Sequence, residues 1–193
     1  MHIIFIEVAI FQVILTWFYC LPIIDVVLLM VVVSIMYLVF RQDLGTKLFW
    51  RLVIGLLFFA WVGVIVVATL TGRTPGTIPA EPQLLPFHSY CAVLEGENKE
   101  ILRSNFMNIL LFYPAGLLLF ELLPKSWNRL KCFFFDVGML AAMSVVIEFC
   151  QYRFALGIAE TDDIIHNTAG ALMGAIVCCF QIKRRQKAGI PHN

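Results

Sequence analysis

Ionisable and amide side chains recur at helical spacing inside otherwise apolar runs, and whatever chemistry the chain performs must come from them. Ser144, Glu148 and Gln151 follow one another at intervals of four and three, so a helix brings all three to one face. Asp162 stands four before His166, and Asp163 four before Asn167, which makes a second polar stripe about one turn deep. Arg103, Asn105 and Asn108 open another apolar run, and Arg73 closes one. A charged group at the centre of a membrane helix costs about 2.5 to 3.5 kcal/mol on insertion scales, so such residues normally turn inward and find a partner.

The residue types allow specific chemistry. A buried Glu148 is suited to general acid or base work. Asp162, Asp163 and His166 offer oxygen and nitrogen ligands for a divalent metal, and Arg73 or Arg103 could grip a phosphate. No HExxH pattern, nucleophile elbow or phosphate-binding Gly loop accompanies them, so no metal is assigned and any cofactor is left unknown. Interhelical hydrogen bonding is the plainer alternative, and for one residue alone it is the preferred reading. For the cluster the reading is a site, with Glu148, Asp162 and Asp163 as candidate catalytic residues. Arg73, Arg103, Asn108, Gln151, His166 and Asn167 are its candidate substrate-binding residues. His88 is a lone loop histidine. Asp25 lies near the same side, whereas Glu7, Glu121 and Asp136 are expected at the opposite interface.

The elements that must position these groups are membrane helices. With 61% hydrophobic residues, 14% charged and a mean hydropathy of +0.87, the chain has more apolar surface than a soluble domain can bury. A net charge of +1 gives no ground for a nucleic-acid partner. Six apolar stretches, residues 3–20, 23–40, 52–70, 106–123, 133–152 and 164–182, each approach the roughly 20 residues that cross a bilayer. Pro22 makes a tight reversal between the first two the better reading, though one kinked helix, and hence five spans, stays open. The first run has no basic leader or cleavage motif and reads as a retained anchor. The cysteines form no CxxC or disulfide framework and read as small apolar filler.

Orientation follows from Lys and Arg in the short connections. Arg41, Lys47 and Arg51, then Lys125, Arg129 and Lys131, then the basic run from Lys183 to Lys187 mark alternate connections as cytoplasmic. The fold class expected is therefore an all-α polytopic bundle of six spans with both termini cytoplasmic. It divides into N-terminal helices (1–70), a membrane domain (71–182) with an external loop (71–105), and a basic tail (183–193). Pro75, Pro79, Pro82 and Pro86 oppose a long helix in the first half of that loop, and residues 84–87 can dip back to the membrane surface. Pro114 and Gly116 break or bend the fourth stretch. Gly170 and Gly174 form a GxxxG pair that admits a close helix and could support an oligomer.

Three of these segments together resemble the VanZ-like family, named for a protein linked to teicoplanin resistance. Asn108-Ile109-Leu110-Leu111-Phe112-Tyr113-Pro114-Ala115-Gly116 is similar to its N-I-x-L-F-x-P-x-G segment. Ser144, Glu148 and Gln151 match S-x-x-x-E-x-x-Q. Asp162-Asp163-Ile164-Ile165-His166-Asn167-Thr168 with Gly170 and Gly174 matches D-D-x-x-x-N-T-x-G-x-x-x-G. Arg73 and Leu85-Pro86-Phe87 are similar to a weaker upstream signature, and Glu160 stands where family members often carry Asp. The resemblance spans residues 73–174.

It implies a bacterial cytoplasmic-membrane protein, but no settled reaction, substrate or cofactor. The expected function is binding of an amphiphile or lipid-linked envelope component at the outer leaflet, with resistance to glycopeptide or lipopeptide antibiotics. An intramembrane enzyme acting on a lipid-linked envelope precursor is the alternative, and a transport or scaffold subunit is a third class.

Overall fold

The computed structural model describes residues 48–70, 76, 80–95 and 100–187. The first two apolar stretches and Arg73 lie outside the described residues, as does Asp25. Five helices occur among the described residues: α1 (Leu48–Leu70), α2 (His88–Leu94), α3 (Glu100–Leu122), α4 (Arg129–Arg153) and α5 (Thr161–Lys187). Four of them, all but α2, are long and apolar enough to cross a membrane. Their outward faces carry Leu52, Leu56, Phe59, Phe134, Val146, Phe149 and Phe180, a surface that lipid tails can cover and water cannot.

The helices outrun the apolar stretches that predict them. α3 starts at Glu100, so Arg103 and Asn105 stand on its first turns instead of in the loop before it. α5 starts at Thr161, which places both Asp162 and Asp163 in its first turn. The connection before α3 contains the short helix α2, beyond the last of the loop's prolines.

Backbone contact between α3 and α5 sets the bundle's geometry. A Cβ at Gly170 would overlap the carbonyl of Ile109, and one at Gly116 would overlap the carbonyl of Ala171. At Gly174 an added Cβ would lie 2.5 Å from the Tyr113 carbonyl oxygen and 2.7 Å from the Leu117 nitrogen. Ile109 pairs with Gly170 and Tyr113 with Gly174, an advance of four on both helices, so α3 and α5 run parallel. The GxxxG surface is thus occupied by α3 of the same chain. Gly116, expected with Pro114 to break or bend this stretch, is a third contact of this kind, and α3 continues through Pro114 without a break.

The other two spans run against this pair. The Arg51 guanidinium donates to the Leu122 carbonyl (3.0 Å), joining the start of α1 to the end of α3. One turn around Pro114, the Trp61 indole N–H donates to the Leu111 carbonyl (2.8 Å). Ile65, Phe112, Ala115, Leu140, Ile147 and Ala171 form a buried cluster from all four spans. α4 opens on Asn128, whose side chain accepts from the Lys131 amide (2.7 Å). It closes with Ala155 in the left-handed region (φ 52°), the Leu156 amide returning to the Gln151 carbonyl (2.9 Å).

Asp136, expected near the interface, is 0% exposed within the bundle, and neither carboxyl oxygen has a hydrogen-bond partner among the described residues. Position 136 falls four residues from both Cys132 and Leu140 and so shares the buried face of α4 with them.

Two contrasts test this packing by thermal unfolding in detergent. Gly174→Ala is expected to lose more than about 2 kcal/mol, because its contacts are backbone atoms that cannot step aside. Gly63→Ala, with nothing within 4 Å, should be neutral or gain up to about 1 kcal/mol from helix propensity. Equal effects at the two glycines would rule out the α3–α5 contact. Asp136→Asn should hold or raise stability, since it removes an ionisable group that has no partner.

Candidate functional site

Because α1 and α4 oppose α3 and α5, the end of α1, the start of α3, the end of α4 and the start of α5 meet at one end of the bundle. The Gln151 amide of α4 donates to the Thr69 carbonyl of α1 (3.2 Å). Ser144 of α4 is joined to α5 by the Asn167 amide (2.9 Å). Asn108 of α3 donates to an Asp163 carboxyl oxygen (2.7 Å). Glu148 accepts from the backbone N–H of Glu160 (3.0 Å), in the turn that leads into α5. Ser144, Glu148, Gln151, Asp162, His166 and Asn167 are all buried, and Arg103, Asn108 and Asp163 are half-buried around them.

These residues divide into two groups. Glu148, Gln151, Asp163 and Asn167, with Ser144 and Asn108, tie the spans to one another. Two oxygens in this group, Gln151 Oε1 and Asn167 Oδ1, are buried with no partner among the described residues, although the amide nitrogens beside them are bonded. Leaving a buried acceptor unpaired costs about 1 to 3 kcal/mol each, so each oxygen keeps unused hydrogen-bonding capacity.

Asp162 and His166 face the other way, toward the loop before α3. Asp162 accepts from the Ser89 backbone N–H (2.8 Å), the Ser89 hydroxyl and the Phe87 backbone N–H. Asn105 in turn donates to the Ser89 hydroxyl (2.9 Å). His166 Nε2 meets the Tyr90 hydroxyl at 2.7 Å. Beside them Gln83 pairs with the turn before α5, its N–H to Ala159 (2.9 Å) and its carbonyl from Thr161 (3.0 Å). Asp162 thus holds the start of α2 against α5, where Phe87 takes a left-handed conformation (φ 63°).

Three expected ligands for a metal therefore engage three separate partners: Asp162 meets Ser89, Asp163 meets Asn108, and His166 meets Tyr90. Among the described residues no group of three or more His, Cys, Asp or Glu is placed to hold a metal ion. His88 is exposed at the start of α2. Ser89, Tyr90 and the Thr69 carbonyl were not anticipated. Nothing in their spacing announces them, because they lie 73, 76 and 82 residues from the partners they meet.

The family model described as VanZ/LLP1 matches residues 26–182. The chain belongs to the VanZ/LLP1 family. The match begins within the second apolar stretch, well upstream of residue 73, where the resemblance in the motifs starts. Neither the curated proteins nor the solved structures contain a match. All the polar residues described here fall inside the VanZ/LLP1 region.

The division between the two groups is testable. Asp162→Ala strands the buried Ser89 amide and should cost about 2 to 4 kcal/mol. Amide hydrogen exchange should then speed up in residues 87–94 while α4 stays protected. Uniform loss of protection across α4 and α5 would contradict a local latch.

Proposed function

We propose that this VanZ/LLP1 protein binds an amphiphile or lipid-linked envelope component at the outer leaflet of a bacterial cytoplasmic membrane. In this reading the chain spans the membrane six times with both termini cytoplasmic, and the Glu148 end faces outward. The distribution of Lys and Arg supports that orientation. Binding there alters access of glycopeptide (teicoplanin-type) or lipopeptide antibiotics to the surface and so confers resistance.

The observation that carries the reading is the pair of unfilled acceptors, Gln151 Oε1 and Asn167 Oδ1, beside the buried Glu148. A set of polar residues that served only to join helices would be expected to satisfy its own members. Here each amide is held through its nitrogen and presents an oxygen. Asp163, held by Asn108, and the half-buried Arg103 stand at the mouth of the same end. The candidate binding residues are accordingly Glu148, Gln151, Asp163, Asn167, Asn108 and Arg103, with Asp162 and His166 acting through the loop they secure.

Deletion of the gene is expected to raise teicoplanin susceptibility, and unchanged susceptibility across glycopeptides and lipopeptides would count against the reading. Complementation with Glu148→Gln or Asp163→Asn should fail at normal protein abundance. Each should weaken amphiphile retention by about tenfold, the ~1.4 kcal/mol scale of one hydrogen bond to a charged group. Full complementation by both variants would defeat the site assignment.

A further inference from the structure

Residues 84–94, in the loop that Asp162 secures, are built inside out. The side chains turned toward the bundle in α2 are the small ones, Ser89 and Ala92, both buried. The large apolar ones point away: Leu84 is 71% exposed, Leu85 69%, Phe87 56% and Leu94 87%, and the Tyr90 ring is 40% exposed although its hydroxyl reaches His166. Four such side chains within eleven residues, with the Tyr90 ring beside them, differ from the single scattered apolar residues ordinary on a soluble surface.

The segment is not a loose tail, because Asp162 holds it through Phe87 and Ser89, Asn105 supports Ser89, and Tyr90 meets His166. A second strap runs from Gln83 to the turn before α5. The chain thus fixes these apolar side chains in an outward position. Glu81 and Glu95 bracket the stretch, and His88, Tyr90 and Cys91 are the only ionisable side chains between them.

We propose that residues 84–94 form an interfacial membrane element, lying in the plane of the headgroup–acyl boundary at the Glu148 end of the bundle. Its occupant is lipid, because the segment sits at the ends of four helices whose own outward faces are apolar, so its exposed face continues the surface that a bilayer already covers. Small residues inward and large apolar residues outward is the arrangement a monotopic helix requires. Phe87 and Tyr90 are of the aromatic type that settles at headgroup level, while Glu81 and Glu95 remain on the water side. The proposal depends on the bundle lying in a bilayer and is independent of which amphiphile the polar cluster binds.

Spin labels on the full chain in lipid nanodiscs test it. Leu85→Cys and Leu94→Cys are labelled in a background with the six native cysteines replaced, alongside Glu81→Cys and Glu95→Cys. Molecular oxygen partitions into the bilayer and a polar nickel chelate stays in water. Labels at 85 and 94 are expected to show an oxygen-to-nickel accessibility ratio severalfold above those at 81 and 95. Equal ratios at all four positions would overturn the proposal and leave the patch to a protein partner. A second measurement keeps the native cysteines: Leu94→Glu should lower Tm in nanodiscs by several degrees. A glutamate on a side chain this exposed to water would leave Tm unchanged, and that result would also overturn the proposal.

Discussion

Everything at the polar end of the bundle depends on how closely α3 and α5 approach. Three glycines, Gly116, Gly170 and Gly174, let backbone meet backbone with no side chain between. In a membrane, where lipid tails are as apolar as leucine, helix association relies on such close packing and on polar contacts. Once α3 and α5 are locked in parallel, their first turns emerge side by side. Asn108 then meets Asp163, and Asn105 comes level with the Ser89 that Asp162 grips. A longer interaxial distance would separate these pairs and leave their polar atoms in hydrocarbon.

The same constraint explains why two neighbouring aspartates have different partners. Consecutive residues on a helix point about 100° apart, so Asp162 and Asp163 cannot share a face. Asp163 looks toward α3, and Asp162 looks toward the loop. Asp162 therefore has a structural occupation that leaves Glu148 as the buried carboxyl group most directly opposed to α5. The loop in turn covers the start of α5, so the latch and the interhelical cluster support each other without being one site.

Much of this was legible in the sequence, for reasons that can be named. Four of the apolar stretches became helices long enough to span a membrane, because apolar length is a strong signal. The glycine pair announced close packing, but its partner could have been a second copy or another helix of the same chain. Gly116 was harder: beside Pro114 it reads as a breaker, and only the crossing of α3 over Ala171 shows its use. The faces of Glu148 and Asn167 followed from spacing, whereas their partners did not, since Ser144 to Asn167 is a tertiary pairing. The partners of Asp162 were not legible because two of its three donors are backbone N–H groups, which have no residue type to recognise. The burial of Asp136 was not legible, because the helix face it occupies decides it and not its distance from the nearest basic connection.

Buried polar atoms without a partner among the described residues occur at two levels of the bundle: at Asp136, and about three turns further along α4 in the region around Glu148, which includes His166 Nδ1 of α5. At Asp136 the surroundings are the apolar cluster and neither oxygen has a partner. Around Glu148 the polar side chains are mostly joined to one another, and single oxygens on Gln151 and Asn167 are left over. An isolated carboxyl group can meet its desolvation penalty by holding a proton, without any ligand. The Gln151 and Asn167 amides are neutral already, and each is held through its nitrogen, so the oxygen left over is a fixed acceptor that only a donor from outside the network can meet. That difference in chemistry, more than the number of polar residues, is why the Glu148 end and not the Asp136 level is the better candidate for a binding site.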